Sequence, residues 1–349
     1  MFAKDYNASA RLLHRLALAA PSVSEAAFDL EKVLFKPAPD STGRHVFVSG
    51  LARSGTTLLL RLLAATDQFA SLTYRDMPFV MAPNLWARIN GGTVKHSSMA
   101  ERAHGDGVMI DFDSPEALEE VFWRVMAGDL YLRPDRLVRM KADADLITHF
   151  RNYVALIAKR YNRPRYLSKN NNNVVRLESV AEAFPQATII IPFRDPLQQA
   201  HSLLLQHRRF SAADDFTASY MTWLAHHEFG RGQRPFSFSP TTPKHDPGLL
   251  DYWVWLWIEV YGSLVKRMAA LPSSLCLSYE NLCASPTRVW SSLRAALALP
   301  ETSAPIPLKI EKAAEYDVTV SDAALLDRAK EVYEDLLLLS RRRLNLETI

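Results

Sequence analysis

The sequence predicts an α/β protein with a mostly parallel central sheet and helices on both faces. Three observations carry this. The runs His45–Ser49, Ala187–Phe193 and Ser274–Tyr279 are short and largely apolar, the first two rich in β-branched residues, as buried strands are. Helical stretches separate them, which suits parallel strands joined by crossovers. The first strand also runs through a glycine-bearing loop, residues 50–57, into the helical pattern of residues 58–65.

Length and composition set the frame. The chain has 349 residues, enough for one large α/β domain or two modest ones. Hydrophobic residues make up 48% and charged residues 23%, so a sizeable core is expected. A net charge of +3 is too small to imply a nucleic-acid partner, although a local basic pocket is compatible with it. Cys276 and Cys283 form no disulfide framework, and no Cys/His cluster predicts a metal site. Residues 11–20 are broken by charge and read as an amphipathic helix, not a secretory signal. No run approaches 18 uncharged apolar residues, so no transmembrane segment and a cytoplasmic location are expected.

In chain order, residues 8–35 read as two helices broken near Pro21, with Ser22 or Ser24 as cap of the second. A turn-rich linker ends this N-terminal extension at residue 43. The main domain is expected over residues 44–319. Within it, residues 77–160 read as a helical cap over an acceptor site. Ser114 and Pro115 look like a helix cap and first position, and Asp195 and Pro196 repeat that signal. Residues 320–349 hold a terminal helix, with apolar positions at Leu325, Leu326, Ala329, Val332, Tyr333 and Leu336.

The loop Gly50–Thr57 has two glycines five apart, followed by hydroxyl residues. This is the frame of a phosphate-binding P-loop. Glycines let the backbone curl so that its N–H groups converge on an anion, and the helix N-terminus adds partial positive charge. Thr56 stands where nucleotide triphosphatases carry lysine, which argues against magnesium-dependent γ-phosphate chemistry. Arg53 supplies charge from within the loop.

Residues 50–59, with Arg53, Ser54, Gly55, Thr56 and Thr57, resemble the 5′-phosphosulfate loop of sulfotransferases that use PAPS (3′-phosphoadenosine-5′-phosphosulfate). A second signature follows in the family's order and spacing. Arg194 ends a strand, and Ser202 lies eight residues on, as in the family's 3′-phosphate site. The segment Ser278–Leu282 resembles a third element, in which a tyrosine, here Tyr279, lies beside the adenine. The resemblance covers about residues 44–300. It implies a P-loop-like three-layer fold, PAPS as donor and PAP (3′,5′-adenosine bisphosphate) as product. The C-terminal Arg-Lys-Gly loop of the cytosolic subgroup is not recognisable, and residues near Lys309 or Lys312 are left to replace it.

Sulfuryl transfer needs a base for the acceptor and charge stabilisation on the departing phosphate. Asp76 falls about where relatives place a carboxylate base. His104, in a glycine-flanked segment, competes with it by its intrinsic pKa. Lys169 resembles the family lysine that can neutralise the bridging oxygen, but asparagines replace the residues that usually follow it. His226 and His227 read as neighbours on a helical pattern that face apart, and Trp253, Trp257 and Tyr261 as core. The expected acceptor is a small molecule or glycan bearing a hydroxyl or amine, with a carbohydrate, a lipid, a phenol and a peptide all open, and both a monomer and a homodimer stay open. Two rival readings also stand: a P-loop kinase with a degenerate lysine, and a PAP-binding protein without catalysis.

Overall fold

The computed structural model describes residues 8–38, 43–90, 100–101, 109–110, 114–240, 245–300, 310 and 312–345. Helices α1 (Ala8–Ala19) and α2 (Pro21–Phe35) open the chain. Pro21 starts α2, because its fixed φ and missing N–H suit the first helical position. The expected serine cap does not form. Ala20 occupies the cap, and Ser24 instead donates its hydroxyl to Ala17 O at 2.6 Å, tying α2 to α1.

The described strands are β1 (Val46–Val48), β2 (Phe69–Ala70), β3 (Ala100–Glu101), β4 (Met109–Ile110), β5 (Leu137–Val138), β6 (Arg165–Lys169), β7 (Thr188–Phe193), β8 (Phe236–Ser237) and β9 (Ser274–Ser278). Five of them form a parallel sheet in the order β2-β6-β1-β7-β9. The pairs β3–β4 and β5–β8 are minor ribbons. Strands β1, β7 and β9 are those expected from sequence. β6 was not foreseen, because Arg165, Ser168 and Lys169 mask a run that is nonetheless buried beyond its first residue.

The remaining helices are α3 (Thr56–Ala64), α4 (Pro83–Ile89), α5 (Glu120–Tyr131), α6 (Ala144–Tyr161), α7 (Leu177–Ala183), α8 (Pro196–Ser211), α9 (Asp215–Trp223), α10 (Leu250–Met268), α11 (Tyr279–Ala284), α12 (Pro286–Ala296) and α13 (Ala323–Leu344). Successive strand residues face opposite ways. Val46, Val48, Leu167 and Ile190 therefore pack under Leu59, Leu60 and Leu63 of α3 and Trp290 of α12. Phe47, Ile189 and Ile191 face the larger core with Phe122, Phe150, Trp257 and Tyr261. Truncating one such residue, as in Leu60→Ala, should cost about 2–5 kcal/mol. The sheet is thus the middle of three layers, with α13 packed on α10 and β9.

The helix expected at Ser114 and Pro115 starts later, at Glu120. Pro115 instead forms an antiparallel bridge with Thr73, and Glu116 N donates to Leu72 O at 3.1 Å. Strand-like pairing holds the backbone extended there. Among the described residues, no helix is long and apolar enough to cross a membrane.

Candidate active site

All five sheet strands run the same way, and the residues expected to bind the donor gather at their C-terminal edge. β1 leads into the loop of residues 49–55. Gly50 is required because a Cβ there would stand 2.9 Å from Pro192 O of the neighbouring β7. Gly55 has φ +89°, a left-handed conformation open to glycine, and it caps α3. Arg53 also has positive φ, at 68°. Ser54 is buried and donates its hydroxyl inward to Leu51 O at 2.8 Å, so its backbone N–H is what it offers an anion.

The loop is held from behind by Gln199, which the sequence reading missed. Its Nε2 donates to Ala52 O at 3.0 Å and to Leu51 O at 3.4 Å. Its Oε1 accepts from Trp257 Nε1 at 3.0 Å and from Arg194 N at 3.3 Å. One buried amide therefore fixes the loop of residues 49–55 and Arg194 together. Tyr261 OH donates to Pro192 O at 2.8 Å, so this core tyrosine also braces the loop's neighbour. A glutamine three residues after an Asp-Pro helix start was the available signal, and by itself it is silent.

Arg194 directly follows β7, and Asp195 caps α8 by accepting from Leu197 N and Gln198 N, both at 3.0 Å. Ser202 lies on the loop-facing side of α8, where its Oγ accepts from Arg53 Nε at 3.1 Å. The guanidinium of Arg194 stacks 5.2 Å from the Tyr279 ring centroid. That ring also borders the loop: a Cβ on Gly55 would come within 3.0 Å of Tyr279 Cδ2. The structure thus brings Arg53, Gly55, Arg194, Ser202 and Tyr279 together, with Ser54 in the loop and Thr56 and Thr57 in the first turn of α3.

The C-terminal segment closes this side. Ala313 N donates to Tyr279 OH at 2.8 Å, and Arg194 Nη2 donates to Ala314 O at 3.2 Å. Tyr316 exchanges two hydrogen bonds with Gln198, each 2.8 Å. Residues 313–316 therefore lie against Tyr279, Arg194 and Gln198. Lys312 is exposed and pairs with Glu315, while Lys309 lies outside the described residues. Arg194, Gln198, Tyr279, Lys312 and Tyr316 line a cavity of about 600 Å³, with the carboxylates Glu280, Glu315 and Asp317 also on its wall.

Lys169 ends β6 in register with Val48, the last residue of β1. It shares the sheet face of Leu167 and Val48, which α3 covers, so it stands at the start of the phosphate loop. Asn170 N donates to Val48 O at 3.0 Å. The asparagine run is an ordered turn, with all four residues buried. Glu119 accepts from Tyr166 OH at 3.1 Å and from Asn173 Nδ2 at 3.1 Å. Glu120 accepts from Asn170 Nδ2 at 2.8 Å and pairs with buried Arg176 at 2.9 Å.

Asp76 sits apart from this cluster, in a capping box. Its Oδ2 accepts from Thr73 N at 2.9 Å and from Tyr161 OH at 2.5 Å, and Arg160 lies 4.0 Å from Oδ1. Burial pushes its pKa up to about 6, with those hydrogen bonds opposing the rise. His104 lies outside the described residues.

Residues 45–303 match the model of the sulfotransferase family. The chain belongs to the sulfotransferase family. No curated protein matches it. Among solved structures it is similar to sulfotransferase STF1 from Mycobacterium tuberculosis H37Rv, at 14% identity and a TM-score of 0.48, covering 96% of this chain and 83% of that one. It is also similar to sulfotransferase STF9 from Mycobacterium avium, at 17% identity and a TM-score of 0.43, covering 80% and 69% of the two chains. A third is the sulfotransferase domain from the curacin biosynthetic pathway, at 14% identity and a TM-score of 0.40, covering 84% and 97%.

Proposed function

We propose that this sulfotransferase takes its sulfuryl group from PAPS, transfers it to a hydroxyl or amine on a small molecule or glycan, and releases PAP. The observation that supports this most is the Arg53–Ser202 contact beside Arg194 and Tyr279. It joins the two signatures that a donor with phosphates at both 5′ and 3′ positions requires. The residues present fit such a donor. Gly55 leaves its Cβ position open to Tyr279, the loop presents backbone N–H groups at a helix start, and two arginines supply positive charge.

In this reading Arg53, Gly55, Thr56 and Thr57 hold the 5′-phosphosulfate, with the Ser54 backbone. Arg194 and Ser202 hold the 3′-phosphate, and Tyr279 borders the adenine. Lys169 balances charge on the bridging oxygen as it departs. Asp76 and His104 are the two bases suggested by the sequence.

Thermal shift tests the donor. PAP should raise the melting temperature at micromolar concentration, and AMP and ADP far less, because they lack the 3′-phosphate. Equal shifts from AMP and PAP would remove Arg194 and Ser202 from the site. A larger shift from ATP with magnesium would favour the kinase reading.

A further inference from the structure

The turn after α9 brings His226 against Glu228. His226 was expected on a helix. Instead α9 ends at Trp223, and Ala225 takes a positive φ of 52°. The chain then doubles back, and His226 meets Glu228: Nδ1 lies 3.6 Å from Oε1. Glu228 Oε1 also accepts from Asn171 Nδ2 at 2.7 Å. Asn172 Nδ2 donates to Ala225 O at 3.0 Å, which pins the turn against the segment that follows Lys169. Gly230 N donates to His207 Nδ1 at 3.2 Å and anchors the far end to α8.

Glu228 is 8% exposed, and its Oε2 is buried with no hydrogen-bond partner among the described residues. A carboxylate placed so needs compensating charge. Burial acts to raise its pKa, but His226, Lys169 and Asn171 outweigh burial and hold it well below the usual carboxylate range. The same Lys169 stands at the phosphate loop. His226 is therefore linked to the transfer site through one buried carboxylate, and its own side chain is 19% exposed.

We propose that His226 is the general base that takes the acceptor's proton, and that Glu228 is the residue that positions it. The inference rests on the sulfuryl-transfer reading. With the Nδ1 proton directed at Glu228, Nε2 is the basic nitrogen. The acceptor's O–H or N–H proton passes to Nε2 while the acceptor's lone pair forms the new bond to sulfur. The bond from sulfur to the bridging oxygen of PAPS breaks, and its electron pair stays on the phosphate, beside Lys169. Ionised Glu228 balances the imidazolium that results. A separation of 3.6 Å exceeds a hydrogen bond, and such pairs commonly tighten when substrate is bound. His227 takes no part: its Nδ1 lies 2.7 Å from Gly232 O, and burial pushes its pKa down.

The test measures PAP release from PAPS with two probe acceptors, water and 2-naphthol, and uses the PAP thermal shift as control for folding and donor binding. His226→Ala should lose roughly 100-fold in turnover and keep its PAP shift. Added imidazole should restore roughly tenfold of that loss, which no structural role explains. His226→Gln serves if the alanine variant misfolds. Glu228→Gln should lower kcat by roughly tenfold with KM for PAPS unchanged, and Glu228→Asp should recover much of it. Turnover near wild type in His226→Ala or His226→Gln, or no rescue by imidazole, overturns the base. So does a wild-type protein that binds PAP but releases none from PAPS. A wild-type protein without any PAP shift fails earlier, at the donor.

Discussion

Arg53 reaches across 149 residues of chain to donate through Nε to the hydroxyl of Ser202 at 3.1 Å. The bond couples a loop residue in left-handed backbone to the second turn of α8. It presets the spacing between the two proposed phosphate sites before any ligand arrives, which lowers the ordering cost of binding. Arg53→Ala should therefore weaken PAP binding by about 1.5–3 kcal/mol, the range for a hydrogen bond to a charged group. Ser202→Ala should cost less, and the double variant should lose less than the sum, because the residues share a contact. Calorimetric titration of the four proteins checks this. Strict additivity would mean that the contact does not operate in the complex.

Gly55 and Tyr279 form a second coupling. Gly55→Ala places a methyl 3.0 Å from Tyr279 Cδ2 at a backbone φ of +89°. Both the backbone and the ring must give. The variant should lose about 1–2 kcal/mol of stability and bind PAP at least tenfold more weakly, roughly. Urea melts and titration read the two effects. Normal PAP affinity in Gly55→Ala would separate the Tyr279 ring from the nucleotide site.

The turn after Lys169 depends on Glu119. Its carboxylate accepts from Trp123, Tyr166, Asn170 and Asn173. Glu119→Gln replaces an acceptor with a donor that faces donors. The loss should be on the order of 2–4 kcal/mol, as expected when buried polar groups lose their partner. Turnover should fall as Lys169 loses its support. Chemical denaturation checks the first effect, and a melting curve like that of the wild type would show that the network carries no weight.

The fold was legible because β1, β7 and β9 are uninterrupted apolar runs, and α3 and α8 begin with local signals that hold. β6 was not, because Arg165, Ser168 and Lys169 break its apolar pattern although it is buried beyond its first residue. The turn at Gly55 and the helix start at Asp195 were legible because backbone geometry demands a glycine at the first and a cap at the second. Gln199 and Glu228 were invisible for a different reason. Gln199 holds Ala52 O from 147 positions away and Glu228 accepts from Asn171, 57 positions away, and no local pattern encodes such contacts. The serine cap on α2 failed because Pro21 starts that helix earlier, and the helix start at Ser114 failed because pairing between Pro115 and Thr73 took the backbone first.

Asp76 gives a pH prediction that also separates the candidate bases. Its folded pKa of about 6 lies above its ordinary value of 3.8. Between those values the folded state binds more protons than the unfolded chain, so stability falls as pH rises. The contribution is full below about pH 4, is lost as pH climbs to about 6 and stays lost above it. The span corresponds to on the order of 3 kcal/mol. Asp76→Asn cannot ionise, so wild-type stability relative to the variant should decline across that window and then level off. Urea melts at several pH values measure the difference curve, and a flat curve would show that Asp76 ionises without penalty. Turnover gives the second reading. If Asp76 took the acceptor's proton, Asp76→Asn would also lose roughly 10²–10⁴-fold in rate with PAP binding intact. With His226 as the base, Asp76→Asn keeps turnover within a fewfold of wild type at temperatures where it is folded. The hydrogen bonds from Thr73 and Tyr161 then serve the capping box at the start of residues 74–76, and the carboxylate's work is confined to the fold.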